Sequence, residues 1–307
     1  MGKEEFLTYL KLEKKYSPLT VQSYDKDLTD LEDFLLTTEG FSEIHNADKK
    51  QLRNFLIHLT QQKLSVRTVN QKISAVRSFF KYLLRENEIE KNPASELQNL
   101  KSKKRVLIPY TEEEIQFFET HFNEIEEDTD SEFEKTRNLL IFEFFYRTGI
   151  RRIELIELEE AQIDLSEKNI RVIGKRNKER QIPITDELKA QIINYLKVKK
   201  QEIPSGEKYF FTDKKGKILK EKFVYNLINK YLSAVTTKQK KSPHMLRHTF
   251  ATHLLNNGAE LNSIKEILGH SSLAATQVYT HSNIEDLKRV FNQAHPYGHK
   301  IEKKDEN

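Results

Sequence analysis

Ser242-Pro-His-Met-Leu-Arg-His-Thr-Phe-Ala-Thr-His253 is the stretch on which the reading of this chain turns. Ser242 stands as a helix N-cap, and Pro243 fits the first helical position, where no amide hydrogen is needed. Leu246, Phe250 and Leu254 recur at the spacing of one buried stripe. His244 and Arg247, three apart, then share a face near the positive end of the helix. An imidazole, a guanidinium and free backbone N–H groups make an anion site, with phosphate the natural guest. Taken alone, a His-x-x-Arg pair is a weak signal, because most such pairs are solvated surface residues.

Upstream, Tyr146-Arg-Thr-Gly-Ile-Arg-Arg-Ile-Glu-Leu155 ends one helix at Gly149 and starts another with adjacent arginines. Arg151 and Glu154 lie three apart, so the carboxylate can hold the guanidinium at a helix start, an arrangement suited to gripping phosphate. Residues 169–174 and 180–184 are short β-prone runs joined by Lys175-Arg-Asn-Lys-Glu179, a hairpin with a basic tip. Tyr209-Phe-Phe-Thr212 is expected as a third strand. Downstream, Gly269 ends a short helix and leaves His270 at the turn, and Tyr279 follows nine residues later. A phenol with a pKa near 10 is a poor nucleophile at neutral pH unless its proton is taken or offset. A lone Tyr is ordinarily a packing residue.

The first hundred residues read as helices. From Val66, capped by Ser65, the positions Val69, Ile73, Val76, Phe80 and Leu83 mark one helical face, and the other faces carry Arg67, Lys72, Arg77, Lys81 and Arg85. These cations are either a solvated face or a phosphate-contacting one; both readings stand here. Ser17-Pro18 opens another helix to about Thr38, and residues 4–14 and 48–63 supply two more. Residues 1–96 are therefore expected to form a four-helix N-terminal domain. Asn92-Pro93 breaks the helical pattern, and Lys101-Ser-Lys-Lys-Arg105 lacks apolar residues, so residues 97–110 read as a basic interdomain linker. Lys103 and Arg105 favour phosphate contact there, although a plain linker fits equally. Thr111-Glu-Glu-Glu114 carries a capping signature and opens the second domain, residues 111–296. Residues 297–307 read as a polar, frayed tail.

Composition agrees with this division. A chain of 307 residues is long for one core. No apolar run spans a bilayer, and the N-terminus lacks a signal-peptide core, so a cytoplasmic protein without membrane association is expected. The absence of Cys excludes disulfides, thiolate nucleophiles and Cys-based zinc sites. A net charge of +4 permits nucleic-acid binding without establishing it. His244 and His248 have the spacing of a His-x-x-x-His zinc helix, but Met245 stands where that motif needs Glu. No metal and no cofactor are expected, and His248, His253 and His281 read as structural.

Four blocks together, residues 148–155 (Thr-Gly-Ile-Arg-Arg-Ile-Glu-Leu), 174–180 (Gly-Lys-Arg-Asn-Lys-Glu-Arg), 243–254 and 268–281, resemble the tyrosine recombinase (phage integrase) family, most closely its Xer branch. The resemblance covers almost the whole chain in the family's order. It implies a mainly α fold: an N-terminal SAM-like core-binding domain, then a mostly helical catalytic domain with a small antiparallel sheet. By that resemblance, Arg151 and Arg247 would grip the scissile phosphate and Lys175 would protonate the departing 5′-oxygen, with Lys178 the second candidate. His244 would hold the phosphate and assist proton movement, and His270 would bond the phosphate or orient the tyrosine. Tyr279 would attack, leaving a 3′-phosphotyrosyl link without ATP or metal. Arg152-Ile153 and Arg176 depart from the family pattern and leave these positions intact.

Implied partners are a double-stranded DNA recombination site and a second Xer-type recombinase or further copies of the chain, as a tetramer working through a Holliday junction. A cell-division DNA translocase is a candidate controller. Resolution of chromosome dimers before cell division is the leading role, since no room for an arm-binding domain precedes Glu4. Integration of a mobile element is the alternative, and a non-catalytic architectural DNA-binding protein the next. Leu287, Val290 and Phe291 give residues 284–294 an apolar face that would dock on a neighbouring subunit or on its own domain.

Overall fold

In the computed structural model, which describes residues 2–101, 107–125, 131–174, 179–203, 208–269 and 281–297 (backbone alone for 281–286), the chain divides into two units, Met1–Val106 and Leu107–Asn307. The first unit packs four helices, α1 (Lys3–Leu12), α2 (Pro18–Glu39), α3 (Lys49–Gln61) and α4 (Val66–Arg85). Each later start is fixed by a polar cap. Ser17 Oγ accepts from the Thr20 amide at 3.3 Å, Asp48 from Gln51 at 2.8 Å and Ser65 from Thr68 at 3.1 Å. Gly40, at φ +78°, ends α2 in the left-handed region that a side chain resists. Phe6, Leu28, Leu31, Phe55, Ile73, Val76, Phe80 and Leu83 form the core between the helices.

The stripe on α4 is wider than its apolar spacing suggests. Ala75 and Phe79 are buried as well, and Lys72 falls inside the stripe at 4% exposure. Its ammonium is taken by Asp27 at 3.0 Å and by Asp30, both on α2. Lys72, expected on a phosphate-contacting face, is corrected to a core ion pair, because a buried ammonium must keep its carboxylates. Lys72→Met should therefore cost about 1–3 kcal/mol in urea unfolding, as Asp27 loses its charged donor. Affinity for DNA should hold within about twofold, and a larger loss would restore Lys72 to the interface. Arg67 is exposed on the same helix, and Arg77 donates to Asn99 Oδ1 at 2.5 Å. Leu97 packs in this core and Asn70 pins Leu100 through both backbone groups, at 3.0 and 2.7 Å. Lys103 and Arg105 lie outside the described residues.

The second unit starts at α5 (Glu112–Ile125), where Thr111 Oγ1 accepts from the Glu114 amide and Glu114 reaches back to the Thr111 amide at 2.8 Å. There follow α6 (Glu132–Thr148), α7 (Arg152–Ile156), strands β1 (Ile163–Asp164), β2 (Asn169–Ile173) and β3 (Glu179–Pro183), then α8 (Asp186–Glu202), α9 (Glu221–Val235), α10 (Pro243–Asn256), α11 (Leu261–Leu268) and α12 (His281–Ala294). From Leu140 to Thr148, α6 is buried on every side, the mark of a central helix. The sheet is antiparallel in the order β1-β2-β3, with Val172 opposite Arg180 and Ile170 opposite Ile182.

The expected third strand at Tyr209–Thr212 is corrected. Ile163–Asp164 takes that place, and the Tyr209 segment makes only isolated bridges. Phe210 and Phe211 are consecutive and both fully buried, which the alternating faces of a half-buried strand cannot provide. The expected polar tail also begins too early. Tyr297 is buried, with the Arg147 guanidinium 3.8 Å from its ring centre and its hydroxyl donating to Glu119 Oε2 at 2.7 Å. Leu287 and Phe291 of α12 bury into the core of their own unit. Among the described residues no helix is long and apolar enough to cross a membrane.

His295, just after α12, is buried against the rings of Tyr146, Phe250, Phe291 and Tyr297. Burial, then the charge of Arg147, push its imidazole down from 6.5 to about 3. The folded state thus keeps His295 neutral where the unfolded chain protonates it. Its contribution to stability is complete above pH 6.5 and is lost as pH falls from there toward 3. The expected slope from this group is up to about 1.4 kcal/mol per pH unit. His295→Phe should flatten urea-unfolding stability between pH 6 and 4; an unchanged slope would remove His295 as its origin.

Candidate active site

The site gathers at the junction of α6, α7, α10, α11 and β3. Gly149 closes α6 at φ +60°, and a Cβ there would stand 2.6 Å from Phe250 and 2.8 Å from Leu268, so only glycine lets these elements meet. Two residues on, Arg151 caps α7. The Glu154 carboxylate turns back to accept the Arg151 amide at 2.9 Å and its Nη1 at 2.6 Å. Arg247 comes from the buried side of α10. Its guanidinium donates to the Gly149 carbonyl and, at 2.5 Å, to that of Leu268. The two arginines on which the phosphate reading rests are therefore brought together.

Sequence reasoning gave no role to Arg180, which is 3% exposed on β3. It forks onto Glu154, with Nη1 to Oε1 at 2.8 Å and Nη2 to Oε2 at 2.7 Å, and its Nε donates to the Ile267 carbonyl at 2.7 Å. The signal was present: Arg180, Ile182 and Ile184 alternate on the inward face, and an arginine at an inward strand position needs a buried acid. Three consecutive carbonyls at the C-terminal end of α11 thus each receive one arginine. Ile267 takes Arg180, Leu268 takes Arg247, and Gly269 takes Arg151 at 2.8 Å. That end of a helix carries partial negative charge, which eases the crowding of three cations.

The electrostatics are lopsided. Glu154 binds the guanidiniums of Arg151 and Arg180, while that of Arg247 meets only backbone carbonyls. Burial alone would raise Glu154; the Arg180 bond and charge, with those of Arg151, hold it down near 2. Burial and the neighbouring charges of Arg151 and Arg180 lower Arg247 toward 9, so it stays protonated at neutral pH. A buried cation set against neutral carbonyls, with a positive excess around it, suits an anion.

His244 stands partly shielded at the start of α10, and that shielding, then the charges of Arg152, Arg247 and Arg151, lowers its pKa. A neutral imidazole can accept a proton as well as donate one. Ser242 occupies the N-cap with its carbonyl, not its hydroxyl, a correction to the expected cap. His248 bonds the Leu107 carbonyl, and His253 bridges the Tyr146 hydroxyl and the Tyr110 carbonyl, so both are structural. No cluster of potential metal ligands occurs among the described residues. Lys175, Lys178, His270 and Tyr279 lie outside the described residues, and only the backbone of His281 is described.

Comparison with known proteins adds independent findings. The phage integrase family profile matches residues 118–286, more than half of the chain, and the phage integrase N-terminal SAM-like domain matches residues 4–87. A tyrosine recombinase XerC of Oceanobacillus iheyensis is 37% identical over 298 residues, covering 95% of each chain. Another, of Bacillus pumilus, is 35% identical over 298 residues with the same coverage. The XerH site-specific recombinase bound to a palindromic difH substrate, a post-cleavage complex, shares the fold with a TM-score of 0.71 at 21% identity, over 95% of this chain and 81% of that one. An N-terminal SAM-like domain and a helical second unit with a small antiparallel sheet agree with these matches: the chain belongs to the phage integrase family, in its Xer branch, and is a site-specific tyrosine recombinase of DNA.

Proposed function

We propose that this recombinase cuts and rejoins DNA through a 3′-phosphotyrosyl intermediate on Tyr279 and resolves chromosome dimers in the cytoplasm before cell division. The observation that carries the chemistry is the pairing of Arg151 and Arg247 around the end of α11, with more positive than negative charge. Their forks suit the two non-bridging oxygens of a phosphodiester and offset charge that grows in the transition state. The Tyr279 oxygen attacks phosphorus as the bond to the 5′-oxygen breaks. The phenolic proton passes to a base, for which His244 serves while His270 bonds the phosphate or orients the tyrosine, and Lys175, with Lys178 the second candidate, delivers a proton to the leaving 5′-oxygen. The phosphodiester energy is kept in the tyrosyl ester, so rejoining by a 5′-hydroxyl is the same step reversed.

The biological role rests on the XerC relatives, which match across 95% of this chain. In this reading the enzyme works as a tetramer on two duplexes, with copies of itself or a second Xer-type recombinase, through a Holliday junction and under a cell-division DNA translocase. Arg67, Arg77, Lys103 and Arg105 supply phosphate contacts along the flanking duplex. The test is to incubate the full-length protein with a nicked duplex carrying the site it selects from random-sequence DNA. Digestion and mass spectrometry should find the nucleotide on the peptide that contains Tyr279. A nucleotide on any other residue would overturn the assignment. Excision of a site-flanked chromosomal segment that depends on the translocase supports the housekeeping role, and excision without it favours a mobile-element integrase.

A further inference from the structure

Arg180 cannot itself touch DNA, because its three nitrogens are spent on Glu154 and the Ile267 carbonyl and its side chain is 3% exposed. Its placement is nonetheless specific. Glu154 Oε1 accepts from both Arg180 and Arg151, and Oε2 from Arg180 and the Arg151 amide. One carboxylate is thus shared by two guanidiniums, where a plain ion pair would cancel the charge of Arg151 one for one. Arg151 keeps 26% of its side chain exposed, while Glu154 keeps 2%, so the uncancelled charge lies on the accessible partner.

A second observation ties Arg180 to the end of α11. It holds the first of three successive carbonyls whose others orient Arg247 and Arg151. Gly269 lies against it so closely that a Cβ would stand 2.9 Å from Arg180 Cδ, which fixes the spacing of strand and helix end. Displacing Arg180 would let α11 shift and would move the acceptors of both phosphate-facing arginines together.

We propose that Arg180 is a positioning residue for the cleavage step: by sharing Glu154 it leaves Arg151 charged toward the scissile phosphate, and by holding Ile267 it sets the helix end that aims Arg151 and Arg247. The proposal rests on the phosphate-clamp reading above. Its test uses full-length Arg180→Gln and Arg180→Lys on two nicked duplexes of the selected site. One carries the normal scissile phosphate and the other an uncharged methylphosphonate there. Adduct formation at saturating DNA and binding affinity are measured separately, with thermal melting as the check on folding.

On the phosphate duplex, Arg180→Gln should form adduct about 10–100-fold more slowly. Its affinity should stay within about threefold of wild type, a loss of rate without loss of binding. On the methylphosphonate duplex, which asks less charge of Arg151, the deficit should shrink to about threefold or less. Arg180→Lys restores a charge to Glu154 without the fork, and should fall between the two. If Arg180→Gln does not fold, the lysine variant carries the same comparison. Equal deficits on both duplexes, or an unchanged rate on the first, overturn the proposal alone. Wild type forming no adduct on the phosphate duplex would overturn the phosphate-clamp reading as well.

Discussion

Tyr279→Phe should bind the selected duplex as wild type does and form no covalent adduct on it. Phenylalanine keeps the ring and removes only the oxygen that would bond to phosphorus. Affinity should hold within about twofold, since phosphate contacts by arginine and lysine supply most of it. Covalent product should fall by at least about 10⁴-fold, as phenylalanine carries no oxygen to bond to phosphorus. The measurement is a denaturing gel of end-labelled nicked duplex beside a native shift of the same samples. A persisting adduct would show that another residue attacks, and loss of binding would show that Tyr279 is a structural residue. Phosphorylation-like chemistry at a phenol is unfavourable in water, so the expected reactivity belongs to the setting. In the proposed mechanism the Arg151 and Arg247 forks would offset the negative charge against which the phenolate must approach.

Much of this setting is legible in the sequence wherever one local force dominates. The starts at Ser17, Ser65 and Thr111 were readable because a hydroxyl that satisfies an amide needs no distant partner. Gly149 and Gly269 were readable as helix ends, and both take φ near +60°. Glu154 could be read as the holder of Arg151, three residues away on one face. What stayed hidden depends on partners far along the chain. Lys72 looks like a surface cation until Asp27 and Asp30 arrive from α2. Arg180 looks like part of a basic hairpin until Glu154 and the end of α11 close over it. Tyr297 looks like tail until Arg147 and Glu119 receive it. In each case the side chain's charge or polarity misleads, because its burial is settled by a complementary group that spacing alone cannot supply.

Arg247→Met should cut adduct formation by about 10³-fold at saturating DNA, the scale of losing one preorganised charge at an oxyanion. Its stability should change little, because opposing effects meet at this position. Removing the guanidinium takes donors from the carbonyls of Gly149 and Leu268, which destabilises. It also removes a buried cation that burial and the nearby Arg151 and Arg180 charges disfavour, which stabilises. The melting temperature should therefore move by no more than about 4 °C, the change that about 1–2 kcal/mol produces in a unit of this size. A residue kept for packing would behave oppositely, with a large fall in melting temperature and a rate that follows the folded fraction. Inorganic sulfate offers a test without DNA. It should raise the melting temperature of wild type, because an anion bound only by the folded state shifts unfolding by mass action. The variant should lose most of that rise. An Arg247→Met enzyme within tenfold of wild type, with an intact sulfate response, would show that the anion site is built without Arg247.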